Sequence, residues 1–346
     1  MAFFDRVLLV HDSSAIQRFH LHFNNCHAED FSRVNGWIST AVSCNVVEIN
    51  LSIDTAVRCN VEELDNPIDL EEDDVDELDY PIDLEEDDML EYPIREDDAM
   101  FEFPISLLTC KTLKVLSLTS MIIINMPTSV CNCFPRLEFL HIHFTVMNPR
   151  STICMDLFHF PVLEYLSIDG DLGFNLLDFS ISAPELKTLR IDLYSSDDLH
   201  DMYNFSIDAP KLEKLDLHMG SLSNFSCKST KSLVEAKIDL HMHHNEKYVK
   251  QESVDCATEF LAEFSMVKYL SLSHNIGQAC SIPDFDYVRK LKMVHSGGSR
   301  WWRILMKVLE RSPDLECLEI EDKWYPTRRV IEEEMIRVAE EKKEGD

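Results

Sequence analysis

His143, Asp169, Asp192, His218 and Asp239 recur at intervals of 21 to 26 residues, two imidazoles and three carboxylates in series. These residue types ligate zinc and other divalent cations. A metal site needs ligands that converge on one point, whereas residues spaced this evenly form a ladder that spreads along its length. The series therefore reads as a hydrated polar rim, with no metal expected. A second series, Val115, Phe139 and Tyr165, with Tyr269 further along, supplies apolar and aromatic groups. Contiguous aromatic surface is what protein-binding centres use. Val115, Phe139, Tyr165 and Tyr269, with His143, Asp169, Asp192 and His218, form the candidate protein-binding face.

Catalysis has little to work with. Eight scattered glycines offer no phosphate-binding loop, and Gly297-Gly298 reads as a turn. There is no G-x-S-x-G or H-E-x-x-H, and no carboxylate pair has acid–base spacing. His241, His243 and His244 follow a predicted strand without converging partners. No catalytic residue and no cofactor is expected.

Both series are positioned by a repeated phrase. It reads L-E-Y-L-S-I from Leu163, L-K-T-L-R-I from Leu186 and L-E-K-L-D-L from Leu212. The first, fourth and sixth places are apolar. In a β-strand the fourth and sixth side chains share one face, and the third, fifth and seventh point to the other. The phrase begins at Ile16, Val46, Leu113, Leu137, Leu163, Leu186, Leu212, Leu233, Val267, Val288 and Leu315. Eight of the ten steps between starts lie between 21 and 30 residues. That is the period of leucine-rich repeats, each a short strand with a return segment behind it. One unit cannot bury its apolar face alone, so the expectation is an α/β leucine-rich-repeat solenoid of about eleven irregular units.

Five segments follow. Residues 1–60 hold an N-terminal cap, with an amphipathic helix over 2–10, and the first two units. In the second unit's approach, Phe31, Val34, Trp37, Ile38 and Val42 have helical spacing. Residues 61–100 repeat a different phrase, P-I-D-L-E-E-D-D, and carry 20 acids and one Arg. This tandem expansion of one loop is expected to be disordered. Residues 101–298 resume the array, and a Pro two or three residues before the first leucine marks four strand entries. Short return segments there predict turns or short strands, and 256–264 predicts a helix. In 299–322, Trp301, Ile304, Leu305, Val308 and Leu309 share a helical face expected to close the C-terminal end. Residues 323–346 read as a charged helical tail.

The net charge of −31 argues against a basic face for nucleic acid. Eleven Cys without a C-x-x-C pair or regular framework favour a reducing compartment. Cys110, Cys154, Cys256 and Cys317 lie among apolar residues, where a thiol acts as a small hydrophobe. The opening M-A-F-F-D-R-V-L-L-V is too short and too charged for a signal peptide. No run reaches the roughly 18 apolar residues that would span a bilayer. A nuclear or cytoplasmic location is expected, with no membrane partner.

Taken in order, several motifs resemble the plant F-box/LRR/FBD proteins. They are Cys110-Lys111-Thr112-Leu113, S-V-C at 129–131, the recurring A-P-x-L-x-x-L-x-[LI], S-L-V-E-A-K-I-D at 232–239, and W-R-I-L-M-K-V-L-E-R-S-P-D-L-E-C-L at 302–318. The resemblance runs from about residue 3 to residue 322, apart from the acidic insertion. It implies the substrate-recognition part of a cullin-based ubiquitin ligase receptor, in which an F-box binds a Skp-type adaptor and the repeats present the target. No F-box is read in this sequence, and the FBD-like region is short. The adaptor and cullin are thus left without the module that binds them. Three readings stay open: a ligase receptor, a stand-alone recognition module or competitor, and a truncated product without function. The protein target is not named by the sequence.

Overall fold

The protein is described from a computed structural model over residues 16–55, 105–108, 110–120, 134–145, 154–171, 177–194, 203–219, 222–227, 231–240, 258–273, 281–295 and 301–322. Eleven strands form one sheet in the order β1 (Arg18–Cys26), β2 (Glu48–Thr55), β3 (Val115–Ser120), β4 (Phe139–Thr145), β6 (Tyr165–Asp171), β8 (Thr188–Tyr194), β10 (Lys214–Met219), β12 (Glu235–Leu240), β13 (Tyr269–Ser273), β14 (Lys290–His295) and β15 (Cys317–Asp322). Each opens two residues after one of the eleven phrase starts. A second sheet pairs β5 (Cys154–His159), β7 (Leu177–Ser182), β9 (Tyr203–Asp208) and β11 (Leu222–Cys227). Pairing is parallel in both sheets, and across β3 to β15 like places of the phrase face each other.

That register follows from burial. The fourth-place residues Leu116, Leu140, Leu166, Leu189, Leu215, Leu270 and Leu291 are all buried, as are Leu118, Ile142, Ile168, Ile191, Leu217, Leu272 and Met293 in the sixth place. Slipping one strand by a residue would turn both columns to water. Strand entry is set by a tight turn. The amides of Leu137, Leu186 and Leu212 donate to the carbonyls of Phe134, Ala183 and Ala209, three residues back. Pro135, Pro184 and Pro210 stand inside these turns, where a fixed φ fits and no N–H is needed.

Return segments sort by length. Four become the strands β5, β7, β9 and β11, in line with the expected turns or short strands. Longer ones carry helix: α1 (Ala28–Ser43), the short α2 (Ile105–Leu108), a helical turn at 258–262 and α3 (Trp301–Glu310). Val34, Trp37, Ile38 and Ala41 of α1 are buried, which is the face its spacing predicts. No helix among the described residues is long and apolar enough to cross a membrane.

Two expectations are corrected. Ile304, Leu305 and Val308 of α3 are buried and Trp301 and Leu309 pack against the core. Yet the helix does not stand at the C-terminal end of the sheet, because β15 lies beyond it as the last strand among the described residues. Leu318 and Ile320 there continue the two apolar columns and remain 40% and 50% exposed. Cys110 is buried as a small hydrophobe, but Cys317 is exposed, because it occupies the outward third place. The helix at 2–10, the acidic tract at 61–100, the tail at 323–346, 129–131, Cys256, His241, His243, His244 and Gly297-Gly298 lie outside the described residues.

The edge has a measurable consequence. Leu291→Ala, in the last filled rung of the fourth-place column, is expected to cost about 2–5 kcal/mol. Leu318→Ala, one rung further, is expected to cost less than about 1 kcal/mol because its side chain is already wet. Urea unfolding of the two variants checks the difference.

Candidate functional site

The outward face of the large sheet carries three columns, from the third, fifth and seventh places. Inward leucines anchor each strand, so outward side chains stand about 4.8 Å apart from rung to rung. In the third-place column Val115 faces Phe139 and Phe139 faces Tyr165 across β3, β4 and β6. The two rings lie flat against each other, with centroids 4.5 Å apart and planes within 4°. Both are half-buried. Tyr269 does not join them. Thr188, Lys214 and Glu235 intervene in the column, placing it four rungs away, about 19 Å.

The polar series is paired rather than simply hydrated. His143 Nδ1 lies 2.6 Å from Asp169 Oδ2. His141 Nε2 lies 3.0 Å from Asp169 Oδ1, but off the line of a good hydrogen bond, so the His143 contact is the firmer one. The Ser167 hydroxyl donates to the same carboxylate at 3.3 Å. Burial pushes the Asp169 carboxyl upward, and the imidazoles of His141 and His143 at contact distance together pull it down further, so it ends below the ordinary carboxylate value.

Asp169 and Asp192 face each other in register, which would be repulsive for like charges directly opposite. They turn apart. Asp169 engages β4, while Asp192 accepts from Arg190 at 2.8 Å and lies 2.9 Å from His218 Nδ1. His218 also reaches Asp239, Nε2 to Oδ2 at 3.7 Å. Rungs 4.8 Å apart let an imidazole span to the next carboxylate, so the ladder connects side chains that an evenly spreading series would leave separate. Among the described residues, no group of three or more His, Cys, Asp or Glu side chains is placed to hold a metal ion.

His141 and Arg190 were not among the candidate residues. Their signal is the fifth place of the phrase. In F-L-H-I-H-F, residues two apart on a strand point the same way, so His141 accompanies His143.

A family model described as FBD-associated F-box protein At5g56370, LRR repeats, matches residues 83–278. The chain is 32% identical to the F-box/LRR-repeat protein At3g60040 of Arabidopsis thaliana, over 68% of this chain and 52% of that protein. It is 29% identical to the FBD-associated F-box protein At3g52670, over 64% of this chain and 46% of that protein. With the F-box/FBD/LRR-repeat protein At3g52680, identity is 28% over 64% and 46%; both proteins are also from Arabidopsis thaliana. The chain thus spans about half the length of the curated relatives it matches. No solved structure matches it.

Proposed function

Because the chain belongs to the plant FBD-associated F-box/LRR-repeat family, we propose that it is a non-catalytic protein-recognition module whose partner docks on the outward face of the large sheet. The observation that carries this is the stacked Phe139–Tyr165 pair beside Val115. A flat, half-buried aromatic pair on rigid strands presents apolar area already ordered for contact, as hot spots do. His143, Asp169, Asp192 and His218 form its polar flank, and Tyr269 is an outlying contact. Eleven parallel strands in single file support a leucine-rich-repeat solenoid of about eleven units. By family, the partner would be a protein recruited for ubiquitination through a Skp-type adaptor and a cullin.

Affinity capture from plant cell extract tests both levels. Phe139→Asp with Tyr165→Asp is expected to cost at least about 2 kcal/mol of partner affinity, roughly thirtyfold, with a lowered thermal midpoint but a retained cooperative fold. Proteins retained by the wild type and lost by the double variant support the site. Undiminished retention of every partner rejects it. Adaptor and cullin among the retained proteins support the ligase role, and their absence beside a retained partner rejects it.

A further inference from the structure

At the C-terminal half of the same face, β13 interrupts the run of long outward side chains. Its fifth and seventh places are Ser271 and Ser273, while the neighbouring rungs in the fifth place are Lys237 on β12 and Lys292 on β14. The small side chains leave a groove of about 310 Å³. Ser273 lines it, is only 4% exposed, and its hydroxyl has no hydrogen-bond partner. A buried hydroxyl left unpaired costs stability, so it marks a position where a ligand group would be welcome.

The charges lining the groove say which group. Asp192, Asp216, Asp239 and Glu321 supply four carboxylates, against the three cations Arg190, Lys237 and Lys292. With His218 counted neutral, one negative charge is in surplus. The cations are engaged. Arg190 holds Asp192 at 2.8 Å, Lys292 pairs with Glu321, and Lys237 reaches Glu235 at 3.6 Å and Asp216 at 4.0 Å. Two of the carboxylates are loosely held, Asp239 and Asp216 (4.0 Å from Lys237), and of these Asp239 is the one beside Ser273. Its ion-pair contact among the described residues is His218 Nε2 at 3.7 Å, and its side chain is 23% exposed. It follows Ile238, which faces Leu272, so Asp239 and Ser273 stand side by side on neighbouring strands, about 4.8 Å apart.

We propose that this groove is an arginine subsite, in which a guanidinium from the protein partner bonds the Asp239 carboxylate and the Ser273 hydroxyl together. Arginine fits better than lysine because its planar fork offers five fixed donors, enough for a carboxylate and a neighbouring acceptor at once. The surplus carboxylate of the groove, on a chain of net charge −31, favours a basic segment. The inference rests on the recognition role proposed above but not on the aromatic pair.

The test uses the full chain and two blocked pentapeptides, Ala-Ala-Arg-Ala-Ala and the same peptide with citrulline, which keeps the shape and removes the charge. Binding is followed by NMR at the backbone amide of position 273 in about 0.15 M salt, where distant charges are screened. The wild type is expected to prefer the arginine peptide at least tenfold. Asp239→Asn should erase that preference, although it changes the net charge only from −31 to −30, too little to alter nonspecific attraction. Ser273→Ala should weaken arginine binding about threefold while leaving the thermal midpoint equal or higher, since no existing bond is lost. Persistence of the preference in Asp239→Asn overturns the proposal. So does a Ser273→Ala variant that is less stable and binds normally. Magnesium chloride alone, if it moves the same amide in an Asp239-dependent way, would make this a cation site and overturn the arginine assignment. Phe139→Asp with Tyr165→Asp should leave the arginine preference intact, so failure here and failure of the aromatic face are read separately.

Discussion

Leu189→Asp is expected to abolish cooperative unfolding of the chain. Leu189 is fully buried in β8, at the middle of the large sheet, between Leu166 on β6 and Leu215 on β10. Truncation alone would cost about 2–5 kcal/mol through lost contacts and a residual cavity. The carboxylate adds the cost of desolvating a group with no partner, which brings the total to about 5 kcal/mol or more. That is comparable with the whole stability of an ordinary domain. Stacked units depend on their neighbours, so disrupting β8 should also release β6 and β10. Arg190→Ala is the control. The next residue along the strand points outward and is half exposed, so its loss should cost less than about 1 kcal/mol. Circular dichroism through a urea series separates the outcomes: a sloping, non-cooperative curve for Leu189→Asp and a near wild-type transition for Arg190→Ala. A cooperative Leu189→Asp transition within about 1 kcal/mol of wild type would mean that the fourth-place column is not the core.

The large sheet was legible because one phrase repeats and parallel rungs pair like with like. Once L-E-Y-L-S-I is read as a strand with Leu166 and Ile168 inward, the neighbours at Leu189 and Leu215 follow. Burial at the end of the column was not legible. Leu318 and Ile320 satisfy the pattern as well as Leu291 and Met293 do, but being covered depends on a further layer, and periodicity states only which way a side chain points. Cys317 shows the complementary error. Apolar neighbours in sequence suggested burial, while its third place in the phrase already assigned it to the outer face.

At the candidate site, alternation and spacing were enough to align Val115, Phe139 and Tyr165. They did not show that the two rings stack, which depends on rotamers. Evenly spaced Cα atoms by themselves predict a polar series that spreads apart. Side-chain length changes that result: His143 leans one rung to Asp169 and His218 leans one rung to Asp192. Ser273 is invisible in the sequence, since a serine in a variable place carries no signal by itself. Its meaning comes from the long side chains on either side, Lys237 and Lys292, and from a burial that the repeat phrase does not encode.

Asp169 should make its stabilising contribution over the neutral range and lose it only in strong acid. Its folded-state carboxyl is held below the ordinary value of 3.8, so the fold favours the ionised form. A group shifted in this direction stabilises the native state above its unfolded pKa, and that stability disappears as pH falls through the folded value. Asp169→Asn removes the charge but keeps the shape and one acceptor. At neutral pH it is expected to cost about 1–3 kcal/mol, because the donors on His141 and His143 then face a weaker partner in a partly buried setting. The gap between wild type and variant should not shrink between about pH 8 and pH 5, and should narrow only below about pH 3.8. Denaturant unfolding at a series of pH values measures the gap. A gap that collapses above about pH 4 would mean that burial, which pushes the carboxyl upward, outweighs the two imidazoles. The pair His141→Ala with His143→Ala gives an independent check: with the donors gone and burial retained, the Asp169 titration should move upward from its wild-type position.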